Sequence, residues 1–278
     1  MGAVGIAFAP IFVRLSEVGP SATGFYRLGL AVPLLGIWFW TSSPPQSLSL
    51  RKRRIIDLLP LLSAGCFFAA DLAVWHWSIH FTSVANATLL ANFAPIFVVL
   101  GSWLLFDERV SRWFLVAIAL VLSGATLLVS ASLNVQNVYG DGLGLLTAVF
   151  YAGYILSISR LRASFPTVTI SLASSTVGAM LLGLVAWLAG ERLLAMTLSG
   201  WLVLLGLACI SQVIGQSLIV FALAHLPSAF ASVSLLLQPV TAALLAWQFF
   251  GEALSLKQGL GGAIVLAGIV LARWSDRH

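Results

Sequence analysis

The chain has 278 residues, of which 60% are hydrophobic and 8% charged, and its formal net charge is +5. Soluble domains use charged residues at about 25%, so this composition, with a mean hydropathy of +1.04, excludes an ordinary soluble domain and indicates an integral membrane protein. The basic residues form no groove-like patch with interleaved aromatic side chains, which argues against nucleic acid as a partner.

Apolar stretches long enough to cross a bilayer recur along the whole chain. A helical crossing needs about 20 predominantly apolar residues. The stretches are continuously apolar instead of alternating, so they predict helices and not barrel strands. The sequence therefore predicts an all-α polytopic protein with ten transmembrane helices. The predicted spans are 2–17, 21–41, 56–79, 84–106, 112–131, 141–162, 167–189, 198–222, 228–250 and 256–273.

The basic residues of the short connections predict the orientation. Such residues are retained on the cytoplasmic side. With both termini cytoplasmic, only Arg14, Arg192 and Lys257 would lie outside. The residues then placed inside are Arg51, Lys52, Arg53, Arg54, Arg109, Arg112, Arg160, Arg162, Arg273 and Arg277.

The first three spans carry the unusual polar residues of the N-terminal half. A tight turn from Glu17 to Pro20 separates span 1 from span 2, which contains Arg27. The polar connection from Ser42 to Arg54 contains a proline pair, which excludes helix there. Span 3 then carries Asp71 together with Trp75.

Spans 4 and 9 contain the same pattern at an offset of 144 residues. Pro95 precedes Glu108 by thirteen positions, as Pro239 precedes Glu252; Ser111 and Ser255, then Gly124 and Gly268, keep this register. The repeating unit is thus a five-helix half, with residues 1–132 as the first copy, 133–140 as a linker and 141–278 as the second. Since five is odd, the second copy enters the membrane inverted.

The two prolines lie near the middle of their spans. A proline in a membrane helix frees backbone carbonyls and bends the axis, which is tolerated where neighbours or a cavity satisfy those groups. Pro95 and Pro239 therefore predict helix kinks beside a central cavity, with purely structural kinks as the alternative. Glu108 and Glu252 lie at span ends, which favours solvated helix-end roles.

With its duplicated five-helix unit, mid-helix proline, glutamate thirteen residues later, and Pro20 with Arg27, the chain resembles the EamA family of the drug/metabolite transporter superfamily. The resemblance covers nearly the whole chain and is closest to YddG-type exporters of aromatic amino acids. It implies ten helices in two inverted repeats, spans 5 and 10 outside the transport core, a central cavity, and export of small metabolites across the inner membrane.

Polar and aromatic residues near mid-depth are the candidates for lining that cavity. Polar groups are costly in lipid and tend to face a bundle interior. Simple hydrogen bonding between helices is the alternative for each. Gln212 and Gln216, four residues apart, share one helix face. The predicted substrate-binding residues are Asn92, Tyr151, Tyr154, Gln212, Gln216, Gln238, Phe8, Phe67 and Trp75, with Thr147 and Phe68 beside them.

Two charges lie well inside the spans. Arg27 and Asp71 are roughly 9 and 12 Å from the outer span ends at 1.5 Å per residue. The matching depths predict an ion pair that acts as a static gating latch, with Arg14 and Glu17 as rival partners. An unpaired Asp71 would instead bind a proton and couple transport to pH.

No catalytic motif, cofactor fingerprint or complete metal site is recognisable. His76 and His80 have metal-pair spacing but no evident third ligand. The sequence thus predicts a cofactor-free secondary transporter, not an enzyme, that exports aromatic or other large neutral amino acids by alternating access. Phosphorylated sugars or nucleotide sugars are the alternative substrates, and a membrane enzyme or scaffold is the alternative class. Oligomeric state stays open.

Small residues at i, i+4 spacing form a ridge on span 10. Gly259, Ala263 and Ala267 make up this ridge. Such residues let helices approach closely, so the ridge predicts a contact with span 9 or with another subunit.

Overall fold

A computed structural model describes residues 1–42, 59–82, 84–107, 110–129, 138–250 and 255–275. Within these ranges the regular elements are all helical and no strand occurs, which confirms the predicted all-α class. In chain order the helices are α1 Gly2–Ala7, α2 Ala9–Arg14, α3 Pro20–Gly29, α4 Ala31–Ser42, α5 Leu59–Phe81, α6 Val84–Ala91, α7 Ala94–Phe106, α8 Arg112–Val129, α9 Val138–Leu161, α10 Thr167–Leu188, α11 Leu198–Gly206, a π-helix Leu207–Gln216, α12 Ser217–Ala222, α13 Ser228–Ser234, α14 Leu237–Phe250 and α15 Leu256–Ser275.

Eight helical segments in the described ranges are long and apolar enough to cross a membrane. Two further predicted spans correspond to shorter apolar helices, Gly2–Arg14 and Arg112–Leu127. The full set of ten crossings therefore stays a prediction. Some residues of the sequence predictions lie outside the described ranges, namely Glu108, Glu252, Arg109, the basic run 51–54 and the linker residues 133–137.

Several apolar segments are interrupted near proline. The segment with Pro95 breaks between α6 and α7 at residues 92–93, and the segment with Pro239 breaks between α13 and α14 at residues 235–236. A further break, not predicted from the sequence, lies between α1 and α2, where Pro10 is in the first turn of α2. Proline has no backbone N–H and fits the first helical turn, so a new helix starts there at low cost.

The C-terminal half contains a different irregularity, a ten-residue π-helix between α11 and α12. Its Gly215 lies against the backbone of α1, because a Cβ on Gly5 would come within 2.8 Å of the Gly215 Cα atom. No side chain larger than hydrogen therefore fits at Gly5 or Gly215, where α1 contacts the π-helix. The π-helix also carries Gln212 and Gln216.

Helix packing divides the molecule into a central bundle and a peripheral pair. The central contacts are α5 with α9, α10 with α3 and α5, α6 and α7 with α9, and α1 with the π-helix. The helices α8 and α15 pack extensively on each other, and a second apolar cluster joins them to α7 and α13.

The contact between α8 and α15 is made by glycines on a different face from the predicted ridge. A Cβ on Gly124 would lie 2.8 Å from the Gly261 carbonyl oxygen, and one on Gly268 would lie 2.3 Å from Val121. The predicted ridge of Gly259, Ala263 and Ala267 is instead exposed. The tight contact with α8 involves Gly261, Val265 and Gly268 instead, and the contact of the ridge with span 9 or another subunit stays a prediction.

Candidate functional site

A central cavity opens where the broken helices meet the central bundle. Its space, including the part that is open to solvent, is about 710 Å³. The lining residues are Ile6, Ala9, Pro10, Arg27, Phe68, Asp71, Leu72, Trp75, Thr88, Ala91, Asn92, Ala94, Pro95, Thr147, Tyr151, Ile155, Gln216, Ser232, Leu235, Leu236 and Gln238.

Arg27, on α3, is a buried cation at this cavity, with only 3% of its surface exposed. Its Nε atom donates to the Gln212 side-chain oxygen at 3.2 Å, and the Gln212 amide nitrogen donates to Ser175 Oγ at 3.1 Å. The guanidinium carbon lies 5.9 Å from the centre of the Phe68 ring. Gln212 therefore stands behind Arg27 and orients it, while Gln216 lines the cavity itself.

Asp71, on α5, is the buried acid of the same cavity, at 6% exposed. In the described part of the chain it makes no hydrogen bond or direct ion pair, so the predicted contact with Arg27 is not formed in this structure. The two charges still attract each other over a longer distance. Glu17, a rival partner in the sequence analysis, binds Thr197 and the backbone N–H of Met196 instead. The two buried charges thus face one cavity without joining each other.

Aromatic rings form one wall of the cavity. Phe68 stacks on Tyr154 with their ring centres 4.4 Å apart, and Tyr154 lies 6.1 Å from Tyr151. Phe68, Tyr151 and Trp75 belong to the lining, whereas Tyr154 is fully buried behind Phe68.

Uncharged polar groups complete the lining. Asn92 lies at the break between α6 and α7, Gln238 lies near the start of α14, and Gln216 ends the π-helix. Gln216 also lies close to the hydroxyl groups of Tyr151 and Tyr154. The helix interruptions therefore bring amide groups from distant parts of the sequence to one space.

Some candidate residues lie elsewhere. Phe8 stacks on Phe12 at 6.4 Å, and Phe67, which is 36% exposed, packs against Gly153. Pro239 follows Gln238 but is not part of the lining. Phe67 and Phe68 point to different sides of α5, because adjacent residues lie on different faces of a helix. Phe68 shares the cavity-lining face with Asp71 and Trp75, and Phe67 does not.

Thr88 and Ser232 are lining residues that the sequence analysis missed. Both lie on the short helices just before a proline break, Thr88 on α6 and Ser232 on α13. Small hydroxyl residues are common inside membrane helices, where their groups bond to the preceding turn, as Ser232 Oγ does to the Ala229 carbonyl oxygen. Only their position relative to the breaks distinguishes them in the sequence.

The histidine pair does not form a metal site. His76 is buried whereas His80 is exposed, and within the described ranges no three His, Cys, Asp or Glu side chains group together. Cys66 and Cys209 are free thiols.

The chain as a whole is similar to known transporters. The sequence pattern of the EamA-like transporter family matches residues 1–130 and 138–274. The chain belongs to this family. It is 30% identical to the pseudopaline exporter CntI of Pseudomonas aeruginosa over 215 residues, which cover 77% of this chain and 74% of that one.

Two further likenesses extend over more of the molecule. A probable terminal-alkyne amino-acid exporter of Streptantibioticus cattleyicolor is 26% identical over 268 residues, covering 95% of this chain and 88% of that one. A solved crystal structure, 18% identical, superposes with a TM-score of 0.84 over 100% of this chain and 96% of the other. At that identity the structural likeness shows the fold alone.

The apolar helices and the family together settle the broad class. The chain is a multi-pass integral membrane protein of a transporter family, as the sequence predicted, and the inner membrane is its expected location. Its relatives are named as transporters and exporters of small molecules.

Proposed function

We propose that this protein is a secondary transporter that exports small amphipathic metabolites, aromatic or other large neutral amino acids above all. The observation that carries the proposal is a cavity in which one buried cation, one buried acid and an aromatic wall face the same space. Amphipathic zwitterions need opposite charges and apolar surface together. A cavity for phosphate esters would need several cations, whereas Arg27 is the one arginine or lysine of the described lining.

The proposed architecture has ten spans, cytoplasmic termini and two inverted halves, residues 1–132 and 141–278, around the linker 133–140. The packing supports this proposal, because contacts in one half have counterparts in the other. The contact of α5 with α9 corresponds to that of the π-helix with α1, and the contact of α7 with α9 to that of α14 with α1. In this arrangement the cavity lies between the halves, where alternating access requires a binding site.

The relatives' names support the substrate class. One relative is named as a probable amino-acid exporter and another as an exporter of pseudopaline. Both names point to small organic molecules that leave the cell. This chain's own Trp75 and Phe68 favour side chains with a large apolar surface.

Counterflow in proteoliposomes tests the proposal. Vesicles that contain the protein and are loaded with phenylalanine should accumulate labelled phenylalanine or tryptophan from outside. Loaded vesicles without the protein should not. Aromatic stacking adds about 0.5–1.5 kcal/mol, so leucine and methionine should compete within about one order of magnitude. Chromatography of the vesicle contents should recover the label unaltered.

Three results would contradict the proposal. Strong exchange of a sugar phosphate with none of phenylalanine or tryptophan would favour the phosphorylated-sugar alternative. A chemically altered label would indicate a membrane enzyme. If the folded protein transported no amino acid at all, the alternative of a non-transporting scaffold would be favoured.

A further inference from the structure

Arg27 and Asp71 are placed as two halves of a binding site. They lie on different helices, α3 and α5, and both line the central cavity. The structure joins Arg27 to Gln212 through Nε alone, and gives Asp71 no hydrogen bond or direct ion pair in the described part of the chain. A guanidinium and a carboxylate thus face a shared space from separate walls.

Each of these groups is costly to bury without a counter-charge. Isolated charges in a low-dielectric interior are strongly disfavoured, and a partner of opposite sign offsets that cost. The repeat does not require these charges either. Asp71 corresponds to Gly215 at the offset of 144 residues, and Arg27 corresponds to Ala173 when Pro20 is aligned with Pro166. Arg27 and Asp71 attract each other without direct contact, and a ligand that carries both charges would give each of them a direct partner.

The apolar wall lies next to the two charges. Phe68, Asp71 and Trp75 are spaced i, i+3, i+7 on α5, so the carboxylate lies between two aromatic side chains on one helix face. The guanidinium of Arg27 lies 5.9 Å from the centre of the Phe68 ring. Cation, acid and aromatic surface therefore stand within the reach of one small molecule.

We propose that Arg27 binds the carboxylate and Asp71 the ammonium group of a zwitterionic α-amino acid, whose side chain packs against Phe68 and Trp75. The inference rests on the proposed function and names the groups of the ligand that are recognised. The guanidinium fork matches a carboxylate in a bidentate geometry, and its Nη groups stay available because Gln212 occupies Nε. The Asp71 oxygens accept the hydrogen bonds that an ammonium donates.

Three ligands of one shape test this assignment in the purified full-length protein in lipid nanodiscs. Phenylalanine carries both charges, phenylalaninamide lacks the carboxylate, and 3-phenylpropionate lacks the ammonium group. Hydrogen bonds between charged groups are strong, so each analogue should bind at least about tenfold more weakly than phenylalanine. Equal binding of all three would overturn the assignment without any variant.

Two substitutions then locate each contact. Asp71→Asn should weaken phenylalanine binding by about tenfold or more but leave 3-phenylpropionate binding unchanged. Arg27→Gln should weaken phenylalanine binding and leave phenylalaninamide binding unchanged. Asp107→Asn and Arg112→Gln remove the same charges at exposed positions outside the cavity, and should alter no affinity.

The outcomes separate this inference from the proposed function. Phenylalanine binding with no dependence on the ligand's charged groups would overturn the Arg27 and Asp71 assignment and leave the exporter proposal standing. Equal losses for all three ligands in both variants, in folded protein, would likewise overturn it. Absence of binding and counterflow for every amino acid would instead overturn the exporter proposal, and the assignment with it.

Discussion

Gln212 is the residue that decides where the buried arginine points. Its side-chain oxygen accepts from Arg27 Nε and its nitrogen donates to Ser175, so both ends of the amide are fixed by hydrogen bonds. All three side chains are buried. In the proposed assignment, the rest of the guanidinium is left for a ligand and Gln212 acts as a positioning residue.

We expect Gln212→Leu to destabilise the protein, because it removes the acceptor of a buried charged donor at nearly constant volume. An unsatisfied buried donor costs about 1–3 kcal/mol, which would appear as a lower midpoint of unfolding in detergent micelles. Gln212→Glu keeps an acceptor beside Arg27 and should retain more of the stability. Ser175→Ala removes only the far end of the chain of hydrogen bonds and should cost less than Gln212→Leu. Equal midpoints for wild type and Gln212→Leu would show that Arg27 does not depend on this contact.

At the scale of whole elements, irregular helices surround the cavity. The breaks between α1 and α2, α6 and α7, and α13 and α14 all contribute lining residues, as does the end of the π-helix. Interrupted backbone at membrane depth is tolerated where it lines a cavity. The peripheral helices α8 and α15 are uninterrupted in the described ranges and contribute nothing to the lining.

The close packing of α8 on α15 predicts opposite results for the same substitution at two glycines. Gly124→Ala should lower the yield of folded protein and its melting temperature, because the new Cβ would lie 2.8 Å from the Gly261 oxygen and Val265 nitrogen atoms. Overpacking typically costs about 1–3 kcal/mol, which exceeds the roughly 1 kcal/mol that alanine gains over glycine in a helix. Gly259→Ala on α15 meets no atom within 4 Å and should be neutral or stabilising. Thermal unfolding of both variants checks this, and a stable Gly124→Ala protein would contradict it.

The helical class could be predicted from the sequence because a continuous apolar run of bilayer length can satisfy its backbone hydrogen bonds in lipid only as a helix. The sequence also indicated Asn92 as a cavity residue and Arg27 and Asp71 as buried charges, since a polar group in an apolar span stands out by its desolvation cost. It predicted those two charges as an ion pair and not as parts of the cavity lining. It could not place the π-helix, because that backbone change coincides with a tertiary contact, the approach of Gly215 to α1. The glycine face of α15 that meets α8 could not be selected for a related reason: two small-residue faces exist there, and only packing distinguishes them.

At the scale of the molecule, two glutamates connect the N-terminal and C-terminal halves on one side. Glu191 accepts from the backbone N–H groups of Ser21 and Ala22 at the start of α3. Glu17 accepts from the Thr197 hydroxyl and from backbone N–H groups at the start of α11. Carboxylates are favoured at helix N-termini, where backbone N–H groups lack partners within the helix. These contacts form a clasp, and in alternating access an opening toward this side would have to break it.

Acid should weaken the Glu17 part of this clasp. The Thr197 hydroxyl first, and then the backbone N–H groups of Met196 and Thr197, hold the pKa of Glu17 below its usual value. A lowered folded pKa means that the contact stabilises the protein above the unfolded pKa, about 4.3, and that this contribution is lost as the pH falls through the folded value. The difference in melting temperature between wild type and Glu17→Gln should therefore be constant from neutral pH to about 5 and shrink below about 4. Lys257→Gln, which alters one exposed charge away from the clasp, should show no such dependence. A difference that grows on acidification would mean that the protonated Glu17 makes the stronger contact, and would contradict the sign derived from its hydrogen bonds.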